Sequence, residues 1–353
     1  MKINKVELLK ALEKVKPGLA SKDLIEQATS FAFIEDRVVT YNDEISISHP
    51  VEGLNVVGAI KAQALYDFLN KIKKDEIDIE WEENQVIIKA GKSKAGLVFE
   101  QEVKLPVDEE IGKVGKWKKL PKNFLDALKF CHPCCSRDMS RPVLTCVNVS
   151  KEKVEASDTY QIVRYMLNKK LPVPDFLIPA TAVRDLVKYD LIEIAEGEKG
   201  GWIHFKATDG TIFSSRVINN KFPDIDKLLE LDGIKFGFPK NIREMLERAY
   251  VFSKEAISGN IPTATISIRE NQVKLSAENE YGWFEENARV KYSGASVEFS
   301  VGVELLLNLF DKLQNCVIGN DKIGFSGENW KHVVAVSLEG KEEKRGKGET
   351  NNK

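Results

Sequence analysis

The sequence predicts an α+β fold in which a pair of amphipathic helices packed on antiparallel sheets recurs three times along 353 residues. Three observations carry that expectation. Apolar residues at spacings of three and four mark helices, and apolar and polar residues alternating over short runs mark strands. The two signals come in a fixed order, helix, strands, helix, strands, which restarts near residues 108–118 and 227–235, where charged or turn-rich linkers interrupt it.

In the first repeat, Val6, Leu8, Leu9, Leu12 and Val15 form a helical stripe, followed by strands at 31–34, 37–41 and 44–48. Leu65, Phe68, Leu69 and Ile72 mark a second helix, with strands at 76–81, 85–90 and 96–103. In the middle repeat, a helix over 122–135 presents Phe124, Leu125, Leu128, Cys131 and Cys135 on one face. It leads through the polar, basic loop 136–141 into two strands that turn at Lys151 and Glu152. Val183, Leu186 and Val187 place its second helix at 180–189, before strands at 191–196, 202–207 and 211–218. The third repeat has Ile242, Met245, Leu246 and Ala249, strands at 264–270 and 272–278, then Val303, Leu306, Leu307 and Phe310, and strands at 322–327 and 332–338.

A finer echo lies inside the repeats. Glu83-Asn84-Gln85-Val86 and Glu270-Asn271-Gln272-Val273 are the same four residues, each between alternating runs, as tight turns require. Each repeat then holds two copies of one helix-plus-sheet motif, six in all. The expected domains are 1–115, 116–232 and 233–340; the polar tail 341–353 has no apolar period and is expected to be disordered.

With 42% hydrophobic and 30% charged residues the composition is that of a soluble globular protein. The charged, amphipathic N-terminus has no apolar core like that of a signal peptide, and no stretch approaches a membrane span, so a cytoplasmic location is expected. Five cysteines in such a chain imply reduced thiols. The net charge is only −2, but Lys and Arg concentrate on the helices while the remainder is acidic. That division suits a basic helical surface facing phosphates, although solvated lysines on surface helices produce the same count. No aromatic platform and no recognition-helix or zinc-finger spacing accompanies the charge, so contacts to nucleic acid would be to backbone and independent of sequence.

Catalytic signatures are sparse. The four histidines sit in no recognisable nucleophile setting, there is no phosphate loop, and Asp108-Glu109-Glu110 reads as a solvated linker. The sharpest alternative is Cys131-His132-Pro133-Cys134-Cys135, whose C-x-x-C spacing fits thiol redox chemistry or half of a zinc site. Cys146 and Cys316 are distant, and a half-site does not complete four-coordinate zinc. Cysteine also serves as a small apolar filler of a helix face. A nucleic-acid scaffold of another kind stands behind this alternative.

Several short segments, in order and spacing, resemble the bacterial DNA polymerase III beta subunits, the beta sliding clamps. They are Arg141-Pro142-Val143-Leu144, Ser157-Asp158-Thr159-Tyr160, Asn220-Lys221-Phe222-Pro223-Asp224, Tyr292-Ser293-Gly294-Ala295 and Phe299-Ser300-Val301, and the resemblance extends from Met1 to about Leu338. It implies the DNA clamp fold: three domains per subunit, a head-to-tail homodimer closing a ring around double-stranded DNA, helices lining the hole. Such a clamp is non-catalytic and carries no cofactor. It tethers the DNA polymerase catalytic subunit, and its further partners are the clamp loader and repair or replication proteins with clamp-binding peptides.

The resemblance also implies sites. A partner-peptide pocket corresponds to Leu144, Ser157, Thr159, Tyr160 and Ile162, to Pro223, Lys227 and Leu228, and to Ser300, Val303, Val333, Ala335 and Val336. Lys22, Arg137 and Arg141 correspond to loops that touch DNA. At the dimer seam, Val251 and Phe252 would pack on the edge strand bearing Leu97 and Phe99 of a second copy. The chain departs from the family in two places. Thr159-Tyr160 stands where relatives have Gly-His, and Ala335-Val336-Ser337-Leu338 with its lysine-rich extension replaces a Met-Pro-Met-Arg-Leu type ending. Such a pocket and tail fit a clamp of phage or mobile-element origin.

Overall fold

The structure, a computed structural model, describes residues 1–253, 262–309 and 315–338. The expected tail at 341–353 and Phe310 of the last helical stripe lie outside the described residues. Among those described, one strand, one helix and three strands follow each other six times. The first copy is β1 (Lys2–Asn4), α1 (Lys5–Val15), β2 (Ser30–Ile34), β3 (Arg37–Tyr41) and β4 (Ile45–Pro50). The second is β5 (Gly58–Lys61), α2 (Ala62–Lys71), β6 (Glu76–Trp81), β7 (Gln85–Ala90) and β8 (Ser93–Val98). The third is β9 (Lys118–Lys119), α3 (Phe124–Cys131), β10 (Cys146–Val149), β11 (Lys153–Ser157) and β12 (Gln161–Met166). The fourth is β13 (Phe176–Pro179), α4 (Ala180–Leu186), β14 (Leu191–Glu196), β15 (Trp202–Ala207) and β16 (Ile212–Arg216). The fifth is β17 (Ile234–Gly237), α5 (Ile242–Ser253), β18 (Thr263–Arg269), β19 (Gln272–Asn279) and β20 (Gly282–Arg289). The sixth is β21 (Val297–Gly302), α6 (Val303–Leu307), β22 (Asn315–Ile318), β23 (Lys322–Ser326) and β24 (Trp330–Leu338).

The two Glu-Asn-Gln-Val turns occupy the same place in this scheme, between the first two strands after the helix in copies two and five. Neighbouring copies exchange their opening strands. β1 pairs with β6 and β5 with β2; β9 pairs with β14 and β13 with β10; β17 pairs with β22 and β21 with β18. Neither member of a pair completes its sheet alone, which binds the six motifs into three twos.

The chain divides into two compact units: Met1–His132, Asp138–Val154 and Leu167–Phe222 form the first, and Pro133–Arg137, Glu155–Met166 and the chain from Pro223 form the second. In the first, β5-β2-β3-β4-β16-β15-β14-β9 make an eight-stranded sheet and β1-β6-β7-β8 a four-stranded one. Helix α1 begins where the Asn4 side chain accepts the N–H groups of Val6 and Glu7, at 2.9 and 3.3 Å, and its apolar stripe, Leu8, Leu12 and Val15, is buried. The helix expected over 122–135 is shorter. Pro133 lacks an N–H to continue the ladder, so α3 ends at Cys131, and Cys134, not Cys135, is the buried cysteine of the following turn.

In the second unit β24 is the joint. Residues 330–334 pair with β12 on one side and 331–335 with β23 on the other, and at Val336 the strand passes to β21, pairing Val336 with Val301. The sheet continues through β18 and β19 to β20. Helix α5 packs Met245, Leu246 and Ala249 into a core with Ile266, Phe299, Leu306 and Val334.

Candidate binding surfaces

The point where β24 changes partners carries most of the residues expected for peptide binding. Ile162 stands opposite Val333, both nearly buried, and the Ala335 N–H donates to the Tyr160 carbonyl at 2.8 Å. The preceding turn is built by Asp158, whose carboxylate accepts the N–H groups of Tyr160 and Gln161 at 2.9 Å and the Gln161 amide at 2.8 Å. Ser157 Oγ donates to the Gln161 carbonyl at 2.9 Å. Thr159 takes φ of +82°, a conformation suited to glycine and costly for a β-branched residue. The strained turn leaves Tyr160 52% exposed.

A second wall comes from Pro223 to Leu229. Leu228 is also 52% exposed, and Pro223 and Lys227 are exposed beside it. Two cations hold this segment. Arg164 of β12 pairs with Asp226, while also meeting the buried Glu155 carboxylate at 2.5 Å, and Lys322 of β23 donates to the Leu228 carbonyl at 3.0 Å. Neither Arg164 nor Lys322 was among the expected residues. Ala335 is exposed, Val336 and Ser300 are half-buried, and Val303 is wholly inside the core. Leu144 belongs to the first unit, half-buried in the turn Pro142–Thr145.

Lys22, Arg137 and Arg141 are exposed and have no carboxylate partner among the described residues. The acids beside them are otherwise engaged. Asp23 accepts from Lys61 and from Thr29, which hold its carboxyl down to about 2, and Ser140 donates to Asp138 through its hydroxyl and its N–H, which with the nearby charge of Arg141 lowers that carboxyl too. The helical lysines divide. Lys5 is buried, donating to the Ile72 carbonyl at 2.8 Å, and Lys14 pairs with Asp209 at 3.0 Å, whereas Lys10, Lys71 and Lys129 are exposed and without ion pairs among the described residues.

Of the residues expected at a seam, Leu97 is half-buried and Phe99 is buried, its ring 5.0 Å from Trp81. The exposed apolar residue of that strand is Val98. On the second unit Phe252 stacks on Phe284 at 6.1 Å, but Val251 is 64% and Trp283 of β20 68% exposed. Sequence reasoning missed Trp283, because β20 has the consecutive aromatics Trp283-Phe284 and charge on both faces.

The two buried cysteines of the cluster have different neighbours. Cys131 Sγ lies 3.4 Å from the Val154 carbonyl in the first unit, while Cys134, in the second, has Sγ 4.0 Å from His332 Nε2. Among the described residues no three His, Cys, Asp or Glu side chains converge as a metal site requires, so the cysteine-based alternative gains no support.

No protein-family model matches the chain. Among curated proteins, the beta sliding clamp of Pseudomonas aeruginosa is 26% identical over 284 residues, covering 75% of this chain and 74% of that protein. The beta sliding clamp of Haemophilus influenzae is 23% identical over 346 residues, covering 88% and 90%. Among solved structures, the DNA polymerase III subunit beta of Pseudomonas aeruginosa bound to griselimycin superposes with a TM-score of 0.81 at 18% identity, covering 95% of this chain and 98% of that one. The corresponding Bartonella birtlesii protein, also bound to griselimycin, gives 0.82 at 15% identity, with the same coverage. The fold is therefore that of the DNA clamps.

Proposed function

We infer that this chain is a diverged beta sliding clamp, a non-catalytic processivity factor that encircles double-stranded DNA and tethers a replicative DNA polymerase. The observation that carries the reading is how the three-strand meanders end. β4 of the first copy pairs with β16 of the fourth, and β12 of the third with β24 of the sixth. Only the last strands of copies two and five, β8 and β20, lack such a partner among the described strands. An edge strand invites pairing, and β20 of one copy against β8 of a second continues the same rule. Two such contacts, head to tail, close a ring of two chains.

Each meander-end contact then joins two domains, and the proposed domains are 1–115, 116–232 and 233–340. Val251 and Trp283 would cover Val98 and Leu97 of the partner copy. Lys22, Arg137, Arg141 and the unpaired helical lysines would meet phosphates spaced at about one charge per 1.7 Å of duplex axis, giving a surface that holds without reading sequence. Processivity then comes from topology, and tight binding is not needed. Around the Tyr160 turn, Leu228 and β24, the exposed apolar residues over tethered backbone suit short peptides with Leu or Phe anchors, carried by the polymerase, the clamp loader and repair proteins. The place of action is the cytoplasm, where the replication machinery of bacteria works; no helix among the described residues is long and apolar enough to cross a membrane.

The test is mass in solution followed by retention on DNA. A dimer, loaded by its clamp loader, should stay on a nicked circle through high salt and leave once the circle is cut. A monomer, or equal retention on circle and linear DNA, would reject the clamp.

A further inference from the structure

A cleft in the first unit stands apart from every residue assigned above. The two-residue strand β9 ends the eight-stranded sheet, and from it Leu120 and Pro121 run into α3. This corner, the start of β14 and the loop at Lys169 and Lys170 enclose an open cleft of about 670 Å³, a size in the range of ligand sites. Its floor is apolar: Phe124 is buried beneath it, and Leu120 and Leu191 are half-buried. The pairing of β14 with β15 shifts register between Leu191 and Glu193, which puts a bulge at Ile192. A bulge re-aims a side chain out of the regular alternation, and Ile192 is left 43% exposed on the cleft lining.

The rim is basic. Lys170 pairs with Glu152 at 2.9 Å, but Lys119, Lys122 and Lys169 have no carboxylate partner among the described residues. The one acid on the lining, Glu193, stands opposite Lys119 in the pairing of β14 with β9 and has Lys206 at 3.8 Å, so it faces those two lysines and leaves Lys122 and Lys169 unneutralised. Asn123 Oδ1 accepts the Asn168 N–H at 3.0 Å, holding the lysine-bearing loop against the start of α3. Two uncompensated cations, Lys122 and Lys169, beside an exposed isoleucine and a buried phenylalanine are complementary to a carboxylate-bearing chain with an apolar anchor.

We propose that this cleft binds an acidic peptide segment of a partner protein, with a Leu or Phe side chain seated over Phe124 against Ile192 and carboxylates facing Lys122 and Lys169. A duplex backbone matches it less well, because phosphate contacts make no use of the apolar floor or of Ile192. The surface stands on its own residues and does not rest on ring closure, so a failure of DNA retention leaves its test intact.

That test titrates the full-length protein by fluorescence anisotropy with a labelled short peptide of Asp and Glu around a central Leu-Phe, and with a control in which Lys replaces each acid. Ile192→Asp and the double variant Lys122→Glu with Lys169→Glu each remove one half of the complementarity at exposed positions, and circular dichroism checks that the fold is kept. Saturable binding of the acidic peptide is expected. It should weaken by roughly tenfold or more in either variant and with rising salt, and should be unchanged by Tyr160→Ala. No saturable binding, equal binding of the lysine control, or sensitivity to Tyr160→Ala but not to Ile192→Asp would overturn the proposal. So would a double variant that loses affinity for a DNA duplex while the acidic peptide binds as before, because the lysines would then serve phosphates.

Discussion

Arg164 and Asp226 are joined by an ion pair that ties strand β12 to the segment carrying Leu228. The same guanidinium meets Glu155, whose side chain is almost wholly buried, so the two carboxylates have different consequences when Arg164 or one of them is changed. Asp226→Ala should leave Glu155 and Arg164 together and release only the Leu228 segment. Unfolding would be nearly unchanged, and the affinity for a clamp-binding peptide would fall several-fold. Arg164→Met takes the cation away from a buried carboxylate and should cost about 3 kcal/mol of stability. Peptide titration and urea unfolding of the two variants separate the roles; equal loss of stability in both would show that Asp226 acts as a folding contact and not as a tether.

Thr159 holds a left-handed backbone that suits glycine, with φ of +82°. A left-handed conformation costs an L-residue about 1–2 kcal/mol, and glycine gives back part of the gain through its greater unfolded-state entropy. Thr159→Gly should therefore raise stability by up to about 1 kcal/mol, read as a higher urea midpoint at unchanged slope. A lower midpoint would mean that the threonine side chain contributes more than the strain removes.

The longer helices were legible because a period of 3.6 survives in the apolar positions: the buried residues of α1 and α5 include Leu8, Leu12 and Val15, and Met245, Leu246 and Ala249. The opening strands were not. β5, β9 and β17 are four, two and four residues long and alternate too briefly to register, and each is defined by a meander supplied by the neighbouring copy of the motif. Without them the exchange that pairs the motifs is invisible in the sequence. The residues expected for peptide binding came from the family resemblance, and the structure brings Tyr160, Ile162, Val333 and Ala335 of that set together where β24 changes partners. The tethers could not be placed from the sequence, since Arg164 lies 62 residues from Asp226 and Lys322 94 residues from Leu228, and pairings at that separation leave no local pattern.

The seam can be probed more cleanly than through Phe252. Because Phe252 stacks on Phe284 within its own core, a charge there would damage the unit that carries it. Val251 and Trp283 are mostly exposed, so Val251→Asp and Trp283→Asp should convert dimer to monomer in light scattering while the thermal midpoint shifts little. Val98→Asp on the opposite edge should do the same. Dimers that persist in all three variants would rule out pairing of β8 with β20.

His204 makes stability depend on pH in a defined window. Its ring is buried, with Nδ1 2.8 Å from Ser214 Oγ and no hydrogen-bond partner at Nε2 among the described residues. Burial lowers its pKa from 6.5 to about 4. Between those values the unfolded chain takes up a proton that the folded protein refuses, so the unfolded state binds more protons and the folded state weakens as pH falls. Stability from this residue is complete above about pH 6.5, declines by up to about 1.4 kcal/mol per pH unit toward pH 4, and is flat below. His49 and His132 are lowered by burial as well and add to the slope with the same sign. His204→Gln retains an amide able to bond Ser214 and has no proton to gain. Urea midpoints measured from pH 7.5 to 4.5 should fall more steeply in the parent than in the variant, which keeps the share of the other histidines and, at the acid end, of lowered carboxyls such as Asp23 and Asp209. Parallel curves would mean that His204 is protonated in the folded protein or reaches water before the chain unfolds.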